Sequence, residues 1–304
     1  MIRNFEDFLK YALSIKGKSV VVIQPHNEES LAAVVDAKKI GLADFHLVGD
    51  EKLIRQTILK LNSDIGNFSI HNFPDVTAAI DKSIELVHNN ICQIMMKGSV
   101  DTLTLMKAIF DQKNNLRTGQ LFSDVFIFEL PSRTDHKLVM ITDGGLNLQP
   151  DLNAKIGIIN NAVKVAHALG NMNPKVAILS ASEKINPKLQ SSVDAAELTK
   201  INREGKITGC TIDGPLALDL CINPQAVFEK KINSTVAGYS DIIVCPSVET
   251  ANSLAKSTQY FAGLAHAQVI VGGKIPILIP SRADKHEEKV RTIGLGVIMS
   301  HFNT

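Results

Sequence analysis

The chain has 304 residues, with 32 Lys and Arg against 31 Asp and Glu, for a formal charge of +1. That balance leaves no basic footprint for nucleic acid or an acidic membrane surface, and the absence of Trp removes the stacking platforms of single-strand binders. The length suits two domains with large cores, and the remaining partner class is a small molecule.

The first residues carry Glu6 and Asp7 and no signal-peptide core, and no segment approaches a membrane span, so a cytoplasmic protein without membrane contact is expected. Residues 20–23 read as a strand ending at Pro25, after which Asn27 caps a helix over 28–40 that Gly41 stops. A strand at 45–48 and a helix over 51–61 follow, the helix with Ile54, Ile58 and Leu61 on one face. This βαβ rhythm predicts a parallel sheet with helices on both sides.

Helical spacing returns at 76–87, a strand at 93–96 runs into Lys97-Gly98, and 101–110 is helical again. Strands at 125–129 and 138–141 end in the turns Pro131-Ser132 and Asp143-Gly144-Gly145. In open parallel sheets ligands collect beyond the carboxyl ends of the strands, which makes Lys97-Gly98 and Asp143-Gly144 rim residues of one cleft.

Asp151 opens a long amphipathic helix carrying Ile156, Ile159, Val163, Ala166 and Leu169; Gly170 ends it, and it suits a hinge between domains. Beyond it come a strand at 176–179, a helix containing 195–198 and a strand at 210–212 entering Asp213-Gly214-Pro215. A strand at 242–245 stopped by Pro246 and a helix over 249–265 complete a second α/β unit. Cys92, Cys210, Cys221 and Cys245 form no Cys-x-x-Cys pair and have no histidine at ligand spacing, so reduced, buried thiols and no metal are expected. The Asn-x-Ser/Thr matches at Asn67 and Asn233 are then chance occurrences.

The chemistry concentrates in 269–293. An aliphatic run is broken by Gly272-Gly273, resumes at 275–279 and stops at Pro280; Ser281-Arg282 follow, then Asp284 with Glu287 as the N-cap and N3 acids of a predicted helix. Ser281-Arg282 is thereby predicted between a strand end and a first helical turn, where free N–H groups favour an anion and the guanidinium suits phosphate or an oxyanion. No phosphate loop, G-x-G-x-x-G, H-E-x-x-H or G-x-S-x-G occurs, which argues against nucleoside triphosphatases, ordinary dinucleotide folds, zinc proteases and serine-triad hydrolases.

Lys97-Gly98, Thr142-Asp143, Ile212 to Leu216 with Asp219, Ala237-Gly238 to Pro246 followed by Glu249 to Asn252, and Gly272 to Arg282 occur in one order along nearly the whole chain. Together they resemble the phosphate acetyltransferase and phosphate butyryltransferase family, and the Asp213-Gly214-Pro215-Leu216-Ala217 wording is similar to the butyryl members. The resemblance implies an α/β, two-domain, three-layer α/β/α fold similar to the isocitrate and isopropylmalate dehydrogenases, with residues 1–146 and 268–304 as domain I and 147–267 as an inserted domain II. It further implies a homodimer with acyl-CoA and phosphate meeting in the interdomain cleft. Coenzyme A would be a substrate, with no cofactor permanently bound, and acyl-CoA plus phosphate would give acyl phosphate plus CoA.

Acyl transfer between sulfur and phosphate oxygen passes through a tetrahedral oxyanion, for which Arg282 and Ser281 are the expected stabilisers. A thiol attacks only once deprotonated, so a base is needed near the sulfur. By resemblance that carboxylate is Glu288, where the acetyl enzymes carry aspartate, with Asp284 as its rival; the structural alternatives are a first-turn acid and an N-cap. In the helix after Lys97-Gly98, where the family tends to carry arginine, Lys107 offers a point charge instead.

Arg117 and Ser123 flank the Thr118-Gly119 turn as further binding candidates, and Lys97, Gly98, Asp143, Asp213, Asn252 and Gly272 complete the set. Asp213 and Asp219 read first as turn aspartates bonding their own backbone, and Asp143 reads either way. No histidine is assigned a catalytic role, and His286 is expected to be exposed. The acyl group is expected to be butyryl or branched. The alternatives are an acetyl-preferring enzyme, a relative of the isocitrate-type dehydrogenases, and a non-catalytic protein that binds CoA or phosphate.

Overall fold

The structure, a computed structural model, describes residues 2–134 and 136–303. In chain order the first segment carries α1 (Phe5–Ser14), β1 (Ser19–Ile23), α2 (Glu28–Lys39), β2 (Asp44–Gly49), α3 (Glu51–Lys60), β3 (Ser69–Asn72), α4 (Val76–His88), β4 (Ile94–Lys97) and α5 (Thr102–Phe110). There follow β5 (Ser123–Glu129), β6 (Leu138–Thr142), α6 (Leu152–Ala168), β7 (Lys175–Leu179), α7 (Gln190–Arg203), β8 (Thr211–Leu216), α8 (Leu218–Ile222), α9 (Pro224–Glu229), β9 (Ile242–Val244) and α10 (Val248–Tyr260). The chain closes with β10 (His266–Val271), β11 (Ile277–Leu278) and α11 (His286–Phe302).

These elements form two compact units, one of Phe5–Gln120 with Ala267–Thr304 and the other of Met1–Asn4 with Leu121–His266. The crossing after α5 thus falls at Gln120 and not at residue 146 as expected, because β5 pairs with β6 and β6 with β9, which ties residues 121–146 to the later strands.

In the unit built from Phe5–Gln120 and the C-terminal segment, each of the helices α2 to α5 starts on a side-chain cap. Asn27 accepts from Ser30 N, Asp50 from Leu53 N, Asp75 from Ala78 N and Asp101 from Thr104 N, each satisfying an orphan donor of a first turn. The strands run in the order β3-β2-β1-β4-β11-β10, all parallel except β10. The chain moves from β1 outward to β2 and β3, then returns to the other side of β1 as β4. That reversal creates a topological switch point beyond the carboxyl ends of β1 and β4, where ligands collect in open sheets. The core there is fully apolar: Val20, Val21, Val22, Ile23, Ile94, Met95 and Met96 are completely buried.

The unit containing Leu121–His266 orders its strands β5-β6-β9-β7-β8, parallel from β6 onward. Phe126, Phe128, Val139, Ile141, Ala177 and Ile243 fill one face with Ala251 of α10. Asp151 caps α6 as expected, but α6 packs on β5, β6, β9 and α7 inside this one unit, so the expected hinge is instead a core helix. The four cysteines are free and buried.

Three local expectations differ from the structure. The expected turn at Asp213-Gly214-Pro215 is strand: β8 runs through it, with a cis Gly214–Pro215 bond. A Cβ at Gly214 would stand 2.9 Å from both the Cβ and the carbonyl oxygen of Ile178, so the residue is held small by strand-to-strand approach. Gly214→Ala is therefore expected to lower stability by about 1–3 kcal/mol, read as a reduced urea midpoint at unchanged slope. Helix α10 ends at Tyr260 and not at 265, followed by a left-handed Gly263 (φ +63°) and then β10. His286 is half-buried, 3.4 Å from Asp36, where exposure was expected.

Candidate active site

The site begins where β1 and β4 end. Gly98 N donates to Ile23 O at 2.8 Å and Ser99 N to Gln24 O at 2.8 Å, drawing the two strand ends together. A Cβ on Gly98 would lie 2.5 Å from both carbonyl oxygens, so only glycine fits. Asn27, the cap of α2, reaches across with Nδ2 to Ser99 Oγ at 3.3 Å. Lys97, the last residue of β4, is only 6% exposed, and its ammonium donates to Gly98 O and Val100 O at 3.3 Å each. Burial, and next the charge of Arg282, push its pKa below the ordinary 10.5; Asp101 opposes this and Lys289 adds to it.

The second part of the site is the loop between β11 and α11. Ser281 N donates to Asp284 Oδ2 at 2.7 Å and Asp284 N to Ser281 O at 3.2 Å, a clamp that closes a turn around Arg282 and Ala283. Helix α11 begins one residue later than expected, with Lys285 at the N-cap and Glu288 at N3, whose carboxylate accepts from Lys285 N at 2.7 Å. The expected pairing of Asp284 with Glu287 is thus replaced by Lys285 with Glu288, because the Asp284 carboxylate turns back to Ser281. Ser281-Arg282 lies between the strand end and the helix, in a turn of its own, so the guanidinium, more than the helix dipole, supplies the positive charge.

Asp284 is buried, Ser281 and Glu288 are half-buried and Arg282 is exposed. Lys289, only 1% exposed, donates from Nζ to the carbonyl of Asp284. Lys97, Arg282 and Lys289 are close enough for the second and third to act on the proton of the first. Among the described residues none of the three forms an ion pair, and the two lysines bond only to backbone carbonyls. Buried cations without carboxylate partners are costly unless an anion completes them.

The other expected residues fall into groups. Gly272, left-handed at φ +104°, accepts from Thr118 Oγ1 at 2.6 Å, and the backbones of Arg117 and Gly273 form an antiparallel bridge, so this stretch braces the loop after α5. The Arg117 and Lys107 side chains are exposed.

Ser123, Asp143, Asp213 and Asn252 belong to the other unit. Ser123 is fully buried and its Oγ accepts from Asn161 Nδ2 at 2.8 Å, which commits it to packing. Asp143 accepts from Gly145 N at 2.8 Å, Leu146 N at 3.1 Å and Asn147 N at 3.2 Å, the turn geometry weighed for it from sequence. Asn252 Nδ2 donates to Gly144 O at 3.1 Å, tying α10 to that turn. Asp213 bonds Gly214 N, and Asp219 pairs with Lys230 at 2.7 Å on the surface.

Sequence reading missed Lys289 and the Asn27–Ser99 contact. The available signal for Lys289 was its spacing from Ile293 and Val297, which places it on the buried stripe of α11.

Comparison with known proteins bears on the family. Residues 74–297 match the family model described as phosphate acetyl/butaryl transferase. A phosphate butyryltransferase of Clostridium acetobutylicum is 40% identical over 300 residues, covering 99% of this chain and 99% of that one. A phosphate acetyltransferase of Thermotoga maritima is 35% identical over 285 residues, covering 94% of this chain and 96% of the other. The crystal structure of a branched-chain phosphotransacylase from Enterococcus faecalis V583 superposes with a TM-score of 0.83 at 30% identity, covering 94% of this chain and 99% of that one. Matches of this identity across nearly the whole length place the chain in the phosphate acetyl/butyryl transferase family.

Proposed function

We propose that this protein moves a short acyl group, butyryl or branched, between coenzyme A and inorganic phosphate. The observation that carries the reading is the set of three cations, Lys97 at the end of β4 and Arg282 and Lys289 at the turn before α11, none of which forms an ion pair with a described residue. Their positive charge suits a phosphate group, and Arg282, exposed in its turn, meets the oxyanion that forms on the acyl carbonyl. Ser281 Oγ is the second donor to that oxygen.

With acyl-CoA as donor, a phosphate oxygen attacks the thioester carbonyl carbon; the tetrahedral intermediate then expels CoA thiolate, which leaves as the thiol after protonation. In reverse, CoA thiol loses its proton to a base, its sulfur attacks the acyl phosphate carbonyl, and phosphate departs. Glu288 is the base in this reading, because its carboxylate is half-buried and partly open to solvent, whereas Asp284 is buried and clamped to Ser281. Glu288→Gln is expected to slow acyl-CoA synthesis by roughly 10²–10⁴-fold near neutral pH. The loss should shrink as pH approaches about 8.5, where free thiol ionises by itself. Asp284→Asn is expected to act mainly through a lower melting temperature.

The same reading takes CoA as a substrate with no resident cofactor, and has a cytoplasmic homodimer of dehydrogenase-like, two-domain α/β/α architecture. Initial rates of phosphate-dependent thiol release across an acyl-CoA series test the substrate assignment. Each methylene in an apolar pocket is worth about 0.8 kcal/mol, so two of them separate butyryl from acetyl by about tenfold. A maximum at butyryl or branched acyl groups is expected; an acetyl maximum would overturn the chain-length assignment.

A further inference from the structure

We infer that Lys289 is a positioning residue for acyl transfer, holding the turn that presents Arg282 and adding a fixed positive charge beneath that turn. The inference rests on the acyltransferase reading above. Helix α11 buries ten residues, and all but Lys289 are apolar or small, Gly294, Gly296, Thr292 and Ser300 included. An ammonium at such a position loses its hydration, a loss of several kcal/mol in proteins generally, and a helix needing only packing would carry Leu or Met there.

What the ammonium obtains is one bond, to the carbonyl of Asp284, the residue whose amide and carboxylate both grip Ser281. Grip on Asp284 therefore passes to the whole 281–284 turn, in which Arg282 is exposed and forms no ion pair with a described residue. Glu288, the neighbouring residue, fixes the same segment through Lys285 N. The charge has a second consequence. The groups that act on Lys97 are Arg282, Asp101 and Lys289, with Gly98 O and Val100 O as its bonded partners. Two of these three charges are positive, so Lys289 strengthens the local attraction for an anion while it weakens the hold of Lys97 on its proton.

The test uses the full-length chain, with kcat and KM for phosphate measured against butyryl-CoA over a range of pH. Lys289→Met removes bond and charge at near-equal volume; Lys289→Gln retains a donor for the carbonyl and removes only the charge. Lys289→Met is expected to lower kcat/KM by about 100-fold, the scale of a displaced catalytic group. In both variants the high-pH limb of kcat/KM for phosphate should move upward, because Lys97 retains its proton to higher pH once the like charge is gone. A purely structural lysine would alter melting temperature or overall rate and leave that limb in place. Should Lys289→Met fail to fold, the limb shift in Lys289→Gln decides the matter. Wild-type kinetics and an unmoved limb in the folded variants overturn this inference alone. Absence of phosphate-dependent thiol release in the wild type overturns the acyltransferase reading, and this inference with it.

Discussion

Replacing Arg282 with alanine is expected to reduce kcat by about 10²–10³-fold, with the overall fold unchanged. The size follows from the loss of one preorganised donor to a developing oxyanion, worth about 2.7–4 kcal/mol. The side chain is exposed and unpaired among the described residues, so its removal breaks no buried contact and leaves stability within about 0.5 kcal/mol of the parent. Arg282→Lys should recover only part of the rate, since a point charge cannot form the two-pronged contact of a guanidinium. Steady-state rates with butyryl-CoA and phosphate, beside thermal melts of both variants, check the claim. A surface arginine with no function predicts unchanged rates.

Lys97→Met is expected to separate activity from stability. Loss of a charge-assisted contact to phosphate, worth about 1.5–3 kcal/mol, raises KM for phosphate by roughly 10–100-fold. The apo protein should become more stable at neutral pH, because a buried cation without a carboxylate partner is replaced by an apolar side chain of similar length. The pH dependence has a definite sign. Folded Lys97 holds its proton less tightly than the ordinary 10.5 of the unfolded chain. Between the depressed value and 10.5 the unfolded chain thus binds more protons, so this group makes stability rise with pH across that window. In Lys97→Met that rise should be absent. Over the same window phosphate binding by the parent weakens as Lys97 loses its charge. Urea melts and phosphate KM as functions of pH measure both; a variant that is both less stable and unchanged in KM contradicts the assignment of Lys97 to the anion site.

Much of the fold was legible because local signals coincided with it. Asn27 and Asp151 cap the helices their sequence positions imply, and the apolar strands β1 and β4 stand where unbroken aliphatic runs predict them. The strand β3 was not legible: its Ser-Ile-His-Asn has no apolar alternation and is only half-buried, so pairing with β2, and not its own residues, makes it a strand. Gly214-Pro215 reads as a turn on composition, yet it lies within β8 because Ile178 approaches closely there.

The helix start in the site was misplaced by one residue for a similar reason. Asp284 followed by Glu287 has the pattern of a capping pair, and so does Lys285 followed by Glu288 once the backbone amide of the lysine is counted as the donor. The Asp284 clamp onto Ser281 decides between them. Arg282 and Lys97 were legible as candidates because each stands at or beyond the end of an aliphatic run. Lys289 was not picked out, since a lysine in a helix is ordinarily solvated and its spacing from Ile293 and Val297 was the sole sequence signal against that.

Acyl transfer to phosphate is tested most directly by the fate of both halves of the substrate. Purified protein is incubated with butyryl-CoA and inorganic phosphate, and free CoA thiol and butyryl phosphate are quantified together. Equal amounts of the two products, with none formed when phosphate is omitted, are predicted. Thiol release that continues without phosphate, or phosphate binding with no turnover across the acyl series, would contradict it.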